Sequence, residues 1–177
     1  MKNNVLLLGG SGTLGSSIIK SGLFKELLYP NSKELNILNK KKLEKYFLKH
    51  NIKLIIHCAA LARVRDCESN KEKAFKINVK GTSNIVSTIL KLNRNYNKKI
   101  KLIFISSDAV YKSCDGKYKE TDKLSAYNFY GTTKIKGEKL VKKLKNFIII
   151  RTRFFDKKNI KFKHYAKNIF TSSLEVE

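Results

Sequence analysis

The distribution of apolar residues along the chain predicts strands that are buried on both faces of a sheet. Short apolar runs recur between longer lysine-rich stretches, without the alternation that a half-exposed strand shows. Four runs carry this pattern: VLLL (5–8), KLIIHCAA (53–60), KLIFISS (101–107) and NFIIIRT (146–152). A shorter stretch, ELLYP (26–30), is a candidate for one further strand.

The stretches between these runs predict helices, because their apolar residues recur at spacings of three and four. The four stretches are GTLGSSIIKSGLF (12–24), KKKLEKYFLKH (40–50), EKAFKINVKGTSNIVSTILKL (72–92) and FYGTTKIKGEKLVKKLK (129–145). Strand and helix therefore alternate along the chain. This order predicts an α/β fold, a doubly wound parallel sheet of the Rossmann type in a single domain.

A group of glycines follows the first predicted strand. Gly9, Gly12 and Gly15 are spaced three apart and open the first predicted helix. This is the context of the dinucleotide fingerprint, in which glycines let the backbone approach a pyrophosphate at a helix N-terminus. An ordinary turn between a strand and a helix is the alternative. The predicted phosphate-binding residues are Gly9, Ser11, Gly12, Thr13, Leu14 and Gly15.

Three other side chains form a candidate catalytic group. Tyr130 and Lys134 are four positions apart, which places them on one face of the last predicted helix. An ammonium one turn away stabilises a phenolate, so we expect the pKa of Tyr130 to lie below its usual value of about 10. Ser107 ends a predicted strand, at the edge where open α/β sheets bind ligands. A surface pair at 130 and 134 is the alternative.

Composition adds a rival hypothesis. The chain has 177 residues and a formal net charge of +24, which would favour binding to nucleic acid or to other phosphates. The lysines are, however, spread over every segment at helical spacing, which is typical of solvated helix faces. Cys58, Cys67 and Cys114 lack metal-ligand spacing, and no apolar run is long enough to span a membrane. These features predict a cytoplasmic protein with free thiols, no metal and no membrane partner.

Five motifs in a fixed order carry a resemblance to a known family. They are Gly-x-x-Gly-x-x-Gly, HCAA, INVKGT, ISSDAVY and YGTTK. In this order they resemble the extended short-chain dehydrogenase/reductase family. Within it, the segment AVYKSCDGKYKETD is most similar to the dTDP-4-dehydrorhamnose reductase group, through Ala109, Gly116, Tyr118, Glu120 and Asp122.

The resemblance implies a role for each of these residues. Tyr130 would donate a proton to a sugar carbonyl, Lys134 would assist it and hold the nicotinamide ribose, and Ser107 would bind the carbonyl oxygen. The cofactor would lie beside further residues: Cys58, Ala59, Ala60 and Asn78. His57 is expected to pack behind its strand. Arg65 departs from the family, which carries a carboxylate at this place in the motif.

The cofactor is expected to be NADP, or else NAD. NAD-selective sites commonly place an acidic residue at the end of the second strand, where it accepts hydrogen bonds from the ribose 2′-hydroxyl. Here ELLYP is followed by Asn31, Ser32 and Lys33, with no acid before Glu34. Ser32 and Lys33 could instead bind a 2′-phosphate. A lysine that points to solvent is the alternative.

The domain prediction places a dinucleotide-binding domain at 1–155 and the start of an incomplete substrate-binding lobe at 156–177. Members of the family that this chain resembles continue for roughly 100 residues more, so a shortened chain is expected. The expected function is NAD(P)-dependent reduction of a nucleotide-linked 4-keto sugar in polysaccharide biosynthesis, and a homodimer is a candidate assembly. A nucleotide-sugar epimerase, a non-catalytic dinucleotide-binding module and a nucleic-acid binder remain alternatives.

Overall fold

The computed structural model describes residues 4–112, 117–155 and 174–175. A parallel five-stranded sheet has the strand order β2-β1-β3-β4-β5. Its strands are β1 (Val5–Leu8), β2 (Leu27–Leu28), β3 (Leu54–His57), β4 (Lys101–Ile105) and β5 (Phe147–Ile150). Two short strands, β6 (Phe154–Phe155) and β7 (Leu174–Glu175), pair separately. The predicted parallel α/β fold is confirmed.

Six α-helices lie in the described part of the chain, together with a π-helical segment at Lys76–Gly81 and a 3₁₀ turn at Asp108–Val110. The α-helices are α1 (Thr13–Lys20), α2 (Lys40–Lys49), α3 (Val64–Ser69), α4 (Lys71–Phe75), α5 (Thr82–Tyr96) and α6 (Phe129–Val141). No described helix combines the length and apolar character that a membrane crossing needs.

Apolar side chains fill both faces of the sheet. One layer joins the sheet to α2, α5 and α6, and the other lies between the sheet and α1. The first contains Leu6, Leu8, Leu43, Phe47, Ile55, Ile85, Ile89 and Phe104, among others. The second contains Val5, Leu7 and Ile56, with Ile18 and Ile19 of α1 packed against them. Burial on both faces explains why the sequences of β1 and β3 do not alternate. The prediction was wrong for β5, an edge strand on which Ile148 and Ile150 are exposed.

The helix bounds differ from the sequence prediction in several places, and the helix predicted over 129–145 ends at Val141. The helix predicted over 72–92 is divided among α4, the π-helical segment and α5. α3 was not predicted, because six residues provide less than two turns of periodicity. The helix predicted over 12–24 ends at Lys20, and Gly22 follows it with φ +64. A left-handed residue of this kind is a usual helix stop.

Some predictions lie outside the described residues. Cys114 and Gly116 belong to this group, and so does most of the lobe expected at 156–177. Cys58 and Cys67 are free thiols, as expected.

Candidate cofactor and active site

The site lies at the carboxyl ends of the parallel strands. β1 pairs with β2 on one side and with β3 on the other, so the order in which strands are added to the sheet reverses beside β1. Open α/β sheets bind ligands at such a switch point. The register places Leu8 level with His57, so the glycine loop after β1 lies next to the residues that follow β3.

The loop after β1 needs two of its glycines for close packing. Gly9 has φ +93, and a Cβ there would lie 2.6 Å from the backbone nitrogen of Ala59. A Cβ on Gly15 would collide with the carbonyl oxygen of Gly9. At Gly12, by contrast, a Cβ would meet only that oxygen, at an ordinary 3.5 Å. Gly12 therefore faces open space, as a residue beside a ligand would.

The amino end of α1 can receive an anion. Gly12 is the N-cap and offers no side-chain cap, so the first amides of the helix have no acceptor within it. The helix dipole adds partial positive charge at this point. Ser11, Gly12 and Thr13 are exposed, and Leu14 is half-buried. The predicted phosphate-binding residues are thus brought together around free amide groups.

The residues after β3 form one wall of the site. Cys58, Ala59 and Ala60 are half-buried there, and the Cys58 amide donates to the Leu8 carbonyl at 2.9 Å. Burial raises the pKa of the Cys58 thiol to about 12, an effect that the nearby charge on Lys134 only partly opposes. Cys58 is therefore a neutral wall residue and not a nucleophile.

Contacts with α6 bring the three predicted catalytic side chains into one region. Gly131 packs against the Ala109 carbonyl so closely that a Cβ would collide with it. The Phe129 amide donates to Glu68 Oε1 at 2.6 Å, which ties the start of α6 to α3. Tyr130 lies next to Ser107 as a result, and Lys134 follows one turn later on α6.

The pKa of Tyr130 differs from the sequence prediction. Burial raises it to about 12, a hydrogen bond from Ser107 opposes the rise, and Cys67 and Asp108 add to it. The prediction of a lowered pKa was wrong, because the spacing of Tyr130 and Lys134 gives no information about burial. At neutral pH, Tyr130 is a protonated phenol.

Lys134 is the most informative side chain of the site. It is only 4% exposed, and its Nζ lies 4.3 Å from the centroid of the Phe104 ring. Burial lowers its pKa to about 8, while Cys58 and Glu138 act in the opposite direction. Within the described residues, Nζ has no hydrogen-bond or ion-pair partner. A buried ammonium without a partner is costly, so Lys134 fits a ligand that brings hydroxyl or phosphate oxygens.

Asn78, predicted to lie beside the cofactor, is buried between the loop after β3 and α6. Its Oδ1 accepts from the Leu61 amide at 2.7 Å, and its Nδ2 donates to the Leu61 carbonyl at 3.0 Å and to Thr133 Oγ1 at 2.9 Å. Since these bonds use both amide hydrogens, Asn78 joins the loop after β3 to α6. It positions the site and does not offer a free amide to a ligand.

His57 lies behind β3, as expected. Thr82 donates its hydroxyl proton to the Asn78 carbonyl at 2.7 Å, so it can only accept from His57 Nε2, 3.0 Å away. Burial, with the nearby charge on Lys134, lowers the pKa of His57 to about 3. His57 is therefore a neutral packing residue.

A buried ion pair beneath the site was not found from the sequence. Arg151 Nη2 lies 2.7 Å from Glu138 Oε2, and Ser106 donates to Glu138 Oε1 at 2.6 Å. Arg151 Nη1 also donates to Tyr111 Oη at 2.7 Å and to the Glu120 carbonyl at 2.9 Å. The hydrogen bond with Glu138 is the main cause that raises the pKa of Arg151. The pair fixes α6 to the ends of β4 and β5.

The segment 117–122 is tied to this pair. The Tyr111 hydroxyl donates to the Lys119 carbonyl at 3.0 Å, and the Tyr118 ring stacks on Tyr111 at 4.6 Å between centroids. Asp122 Oδ2 accepts from the Lys119 amide at 2.7 Å. Tyr118 and Asp122, part of the resemblance, thus order the loop beside the site. Arg65 is exposed on α3.

The two residues predicted to select the cofactor lie in an exposed turn after β2. Ser32 and Lys33 are both exposed, and the Lys33 amide donates to Asn31 Oδ1 at 2.9 Å. Glu34 Oε2 accepts from the Asn31 amide at 2.8 Å, which holds the first acid of this loop on the backbone. The Lys33 ammonium has no hydrogen bond or ion pair with the described residues, so it remains a candidate contact for a ligand.

Comparisons with known proteins agree with this geometry. A dTDP-4-dehydrorhamnose reductase from Aggregatibacter actinomycetemcomitans is 30% identical over 180 residues, which cover 97% of this chain and 56% of the relative. The methionine adenosyltransferase 2 subunit beta of Rattus norvegicus is 30% identical over 146 residues, 77% of this chain and 42% of the relative.

Among solved structures, a dTDP-4-dehydrorhamnose reductase from Bacillus anthracis str. Ames in complex with NADP superposes with a TM-score of 0.79. It is 28% identical, and the match covers 89% of this chain and 56% of that one. The chain thus spans about half the length of the curated relatives it matches. Residues 1–173 match the family described as the RmlD substrate binding domain, and the chain belongs to this family.

Proposed function

We propose that this chain is the dinucleotide-binding part of an NAD(P)-dependent reductase that acts on a nucleotide-linked 4-keto sugar. One observation carries the proposal: the ammonium of the largely buried Lys134, one turn after Tyr130 and on the helix that packs beside Ser107, has no hydrogen-bond or ion-pair partner among the described residues. Family membership supports the reaction class. The sugar-nucleotide substrate is inferred from the relatives' names.

The residues present fit a nicotinamide dinucleotide. The free amides at the start of α1 would bind its pyrophosphate, and Gly12 leaves space there. The Lys134 ammonium would bind the hydroxyls of the nicotinamide ribose, which would supply the partner that it lacks in the protein. When bound, the reduced cofactor supplies the hydride.

The protein's own part in the reaction is the transfer of a proton. Tyr130 is protonated at neutral pH, so its phenol can donate to the carbonyl oxygen of a ketone as charge develops there. The Ser107 hydroxyl would hold the same oxygen. The positive charge on Lys134 would stabilise the phenolate that Tyr130 becomes. A phenol that begins in its protonated form is in the state that the reduction step requires.

Calorimetry and a turnover assay test the proposal. We expect NADPH to bind, and the addition of a thymidine-diphosphate 4-keto-6-deoxy sugar to oxidise it, with loss of absorbance at about 340 nm. Tyr130→Phe removes only the hydroxyl and should lower kcat by about 10² or more while NADPH affinity stays within about twofold. Tyr127→Phe, at an exposed tyrosine nearby, is the matched control and should retain full turnover.

Three other results would point elsewhere. No NADPH binding would refute the proposal. Conversion of a nucleotide sugar to its epimer without net oxidation of the cofactor would identify an epimerase. Full turnover in Tyr130→Phe would show that another group donates the proton.

A second candidate is a non-catalytic dinucleotide-binding module. It is favoured by one comparison: relatives at 28–30% identity are named as a subunit of methionine adenosyltransferase. This candidate predicts that NADPH binds without turnover on any keto sugar and that Tyr130→Phe changes nothing. The two candidates therefore differ in the turnover assay and agree in calorimetry.

A further inference from the structure

The hydroxyl proton of Ser107 has a competing acceptor. Ser107 Oγ accepts from the Ala109 amide at 3.2 Å and donates to Asp108 Oδ1 at 3.1 Å. A hydroxyl has a single proton, so Asp108 competes for it with Tyr130 and with a substrate carbonyl. An unopposed carboxylate is a strong acceptor and would hold the proton.

Arg153 opposes this carboxylate. Its Nε lies 2.8 Å from Asp108 Oδ2, the oxygen that Ser107 does not use. The two side chains are 40% and 35% exposed, so solvent weakens the pair but does not replace it. A guanidinium bound to one oxygen withdraws charge from the whole carboxylate, and the other oxygen becomes a poorer acceptor.

We infer that Arg153 is a positioning residue that acts through Asp108: by neutralising this carboxylate it frees the Ser107 proton and keeps negative charge away from Tyr130. The inference rests on the reductase function proposed above. Arg153 touches neither the phenol nor the serine, and its effect passes through one side chain.

The charges around the phenol agree with this role. The ionisable groups near Tyr130 are Cys67 of α3, Asp108 after β4 and Lys134 of α6 itself. Burial is the main cause that raises the pKa of Tyr130, and the charge on Asp108 adds to it. Loss of the Arg153 guanidinium would leave Asp108 with its full charge and make Tyr130 a weaker acid.

A double-mutant cycle tests the inference in the chain as it stands. We expect Arg153→Ala to lower kcat by about fivefold, the size that a partly exposed ion pair supports, with KM for the sugar nucleotide unchanged. Asp108→Asn should restore turnover when combined with Arg153→Ala, because the carboxylate that Arg153 opposes is then absent. Lys91→Ala breaks the distant Lys91–Glu44 pair of comparable exposure and should change nothing.

Three outcomes would overturn the inference. The first is an unchanged kcat in Arg153→Ala. The second is a double variant as slow as Arg153→Ala, which would show that Asp108 does not mediate the effect. The third is a loss confined to KM, which would mean that Arg153 binds the substrate directly.

A second readout does not depend on turnover. Tyrosinate absorbance, taken as the difference between each variant and the same variant with Tyr130→Phe, follows the ionisation of this one phenol. The pH at which half of this phenol is ionised should be lowest in Asp108→Asn, intermediate in wild type and highest in Arg153→Ala. If the three proteins show this order but wild type has no turnover, the reductase proposal fails and the link through Asp108 stands. Equal midpoints would refute the link.

Discussion

Replacement of Gly12 by valine separates ligand binding from folding. Gly12 is exposed and its φ is −79, which any residue adopts. A Cβ there would meet only the Gly9 carbonyl oxygen, at 3.5 Å. The added side chain should therefore be tolerated by the fold and fill the space in which a pyrophosphate would approach the start of α1.

The expected magnitudes follow from this geometry. Hydrogen bonds to a charged group are worth about 1.5–3 kcal/mol each, so displacing two of them should weaken NADPH binding by about a hundredfold or more. A branched residue at an exposed N-cap costs about 1 kcal/mol of stability, which lowers Tm by only about 2–4 °C. Calorimetry with NADPH and a thermal melt measure the two effects separately.

Gly22→Ala is the matched control for this experiment. Gly22 has φ +64, and a Cβ there would meet nothing within 4 Å, so its replacement costs about 1 kcal/mol through backbone strain alone. We expect a comparable fall in Tm with NADPH affinity unchanged. A folded Gly12→Val protein that binds NADPH as tightly as wild type would refute the dinucleotide interpretation of the loop.

Three further predictions concern other parts of the site. Lys33→Glu should narrow or reverse a preference for NADPH over NADH, measured as the ratio of the two Kd values, since Lys33 is the free charge of its loop. Glu138→Gln leaves a buried guanidinium without its partner and should cost about 3–5 kcal/mol in denaturant unfolding, whereas Glu44→Gln in a surface pair should cost under about 1. Relative to Lys134→Met, wild type should gain stability as the pH rises from about 8 to 10.5. In that range the Lys134 amine is protonated in the unfolded chain but not in the folded one. A stability difference that does not change with pH would contradict the lowered pKa.

The sequence predicted the parts of the molecule that depend on local pattern. Continuous apolar runs identified β1, β3, β4 and β5, and the glycine spacing located the turn after β1. The run predicted β5 correctly as a strand but not its exposure, because an edge strand can carry apolar residues on a face that is open to solvent. Periodicity did not separate the π-helical segment at Lys76–Gly81 from the flanking α-helices, because an apolar pattern indicates a helical stretch but not which backbone groups are hydrogen-bonded.

Features that depend on burial could not be predicted in this way. The spacing of Tyr130 and Lys134 placed both on one face of α6, but the sign of the pKa shift of Tyr130 depends on how much water reaches it. The Glu138–Arg151 pair joins residues from two elements, and neither residue stands in a motif that indicates a partner. Asn78 was correctly placed near the site, yet its role became clear only from its three hydrogen bonds.

Several contacts that position the proposed catalytic side chains are made within the described part of the chain. Gly131 packs on Ala109, Glu68 holds the start of α6, and Asn78 joins that helix to the loop after β3. Each of these contacts is made by residues between β3 and β5. The proton-donating geometry should therefore form without a sugar-binding surface. It follows that the choice of sugar and the proton transfer are separable properties, and that substitutions which change one need not change the other.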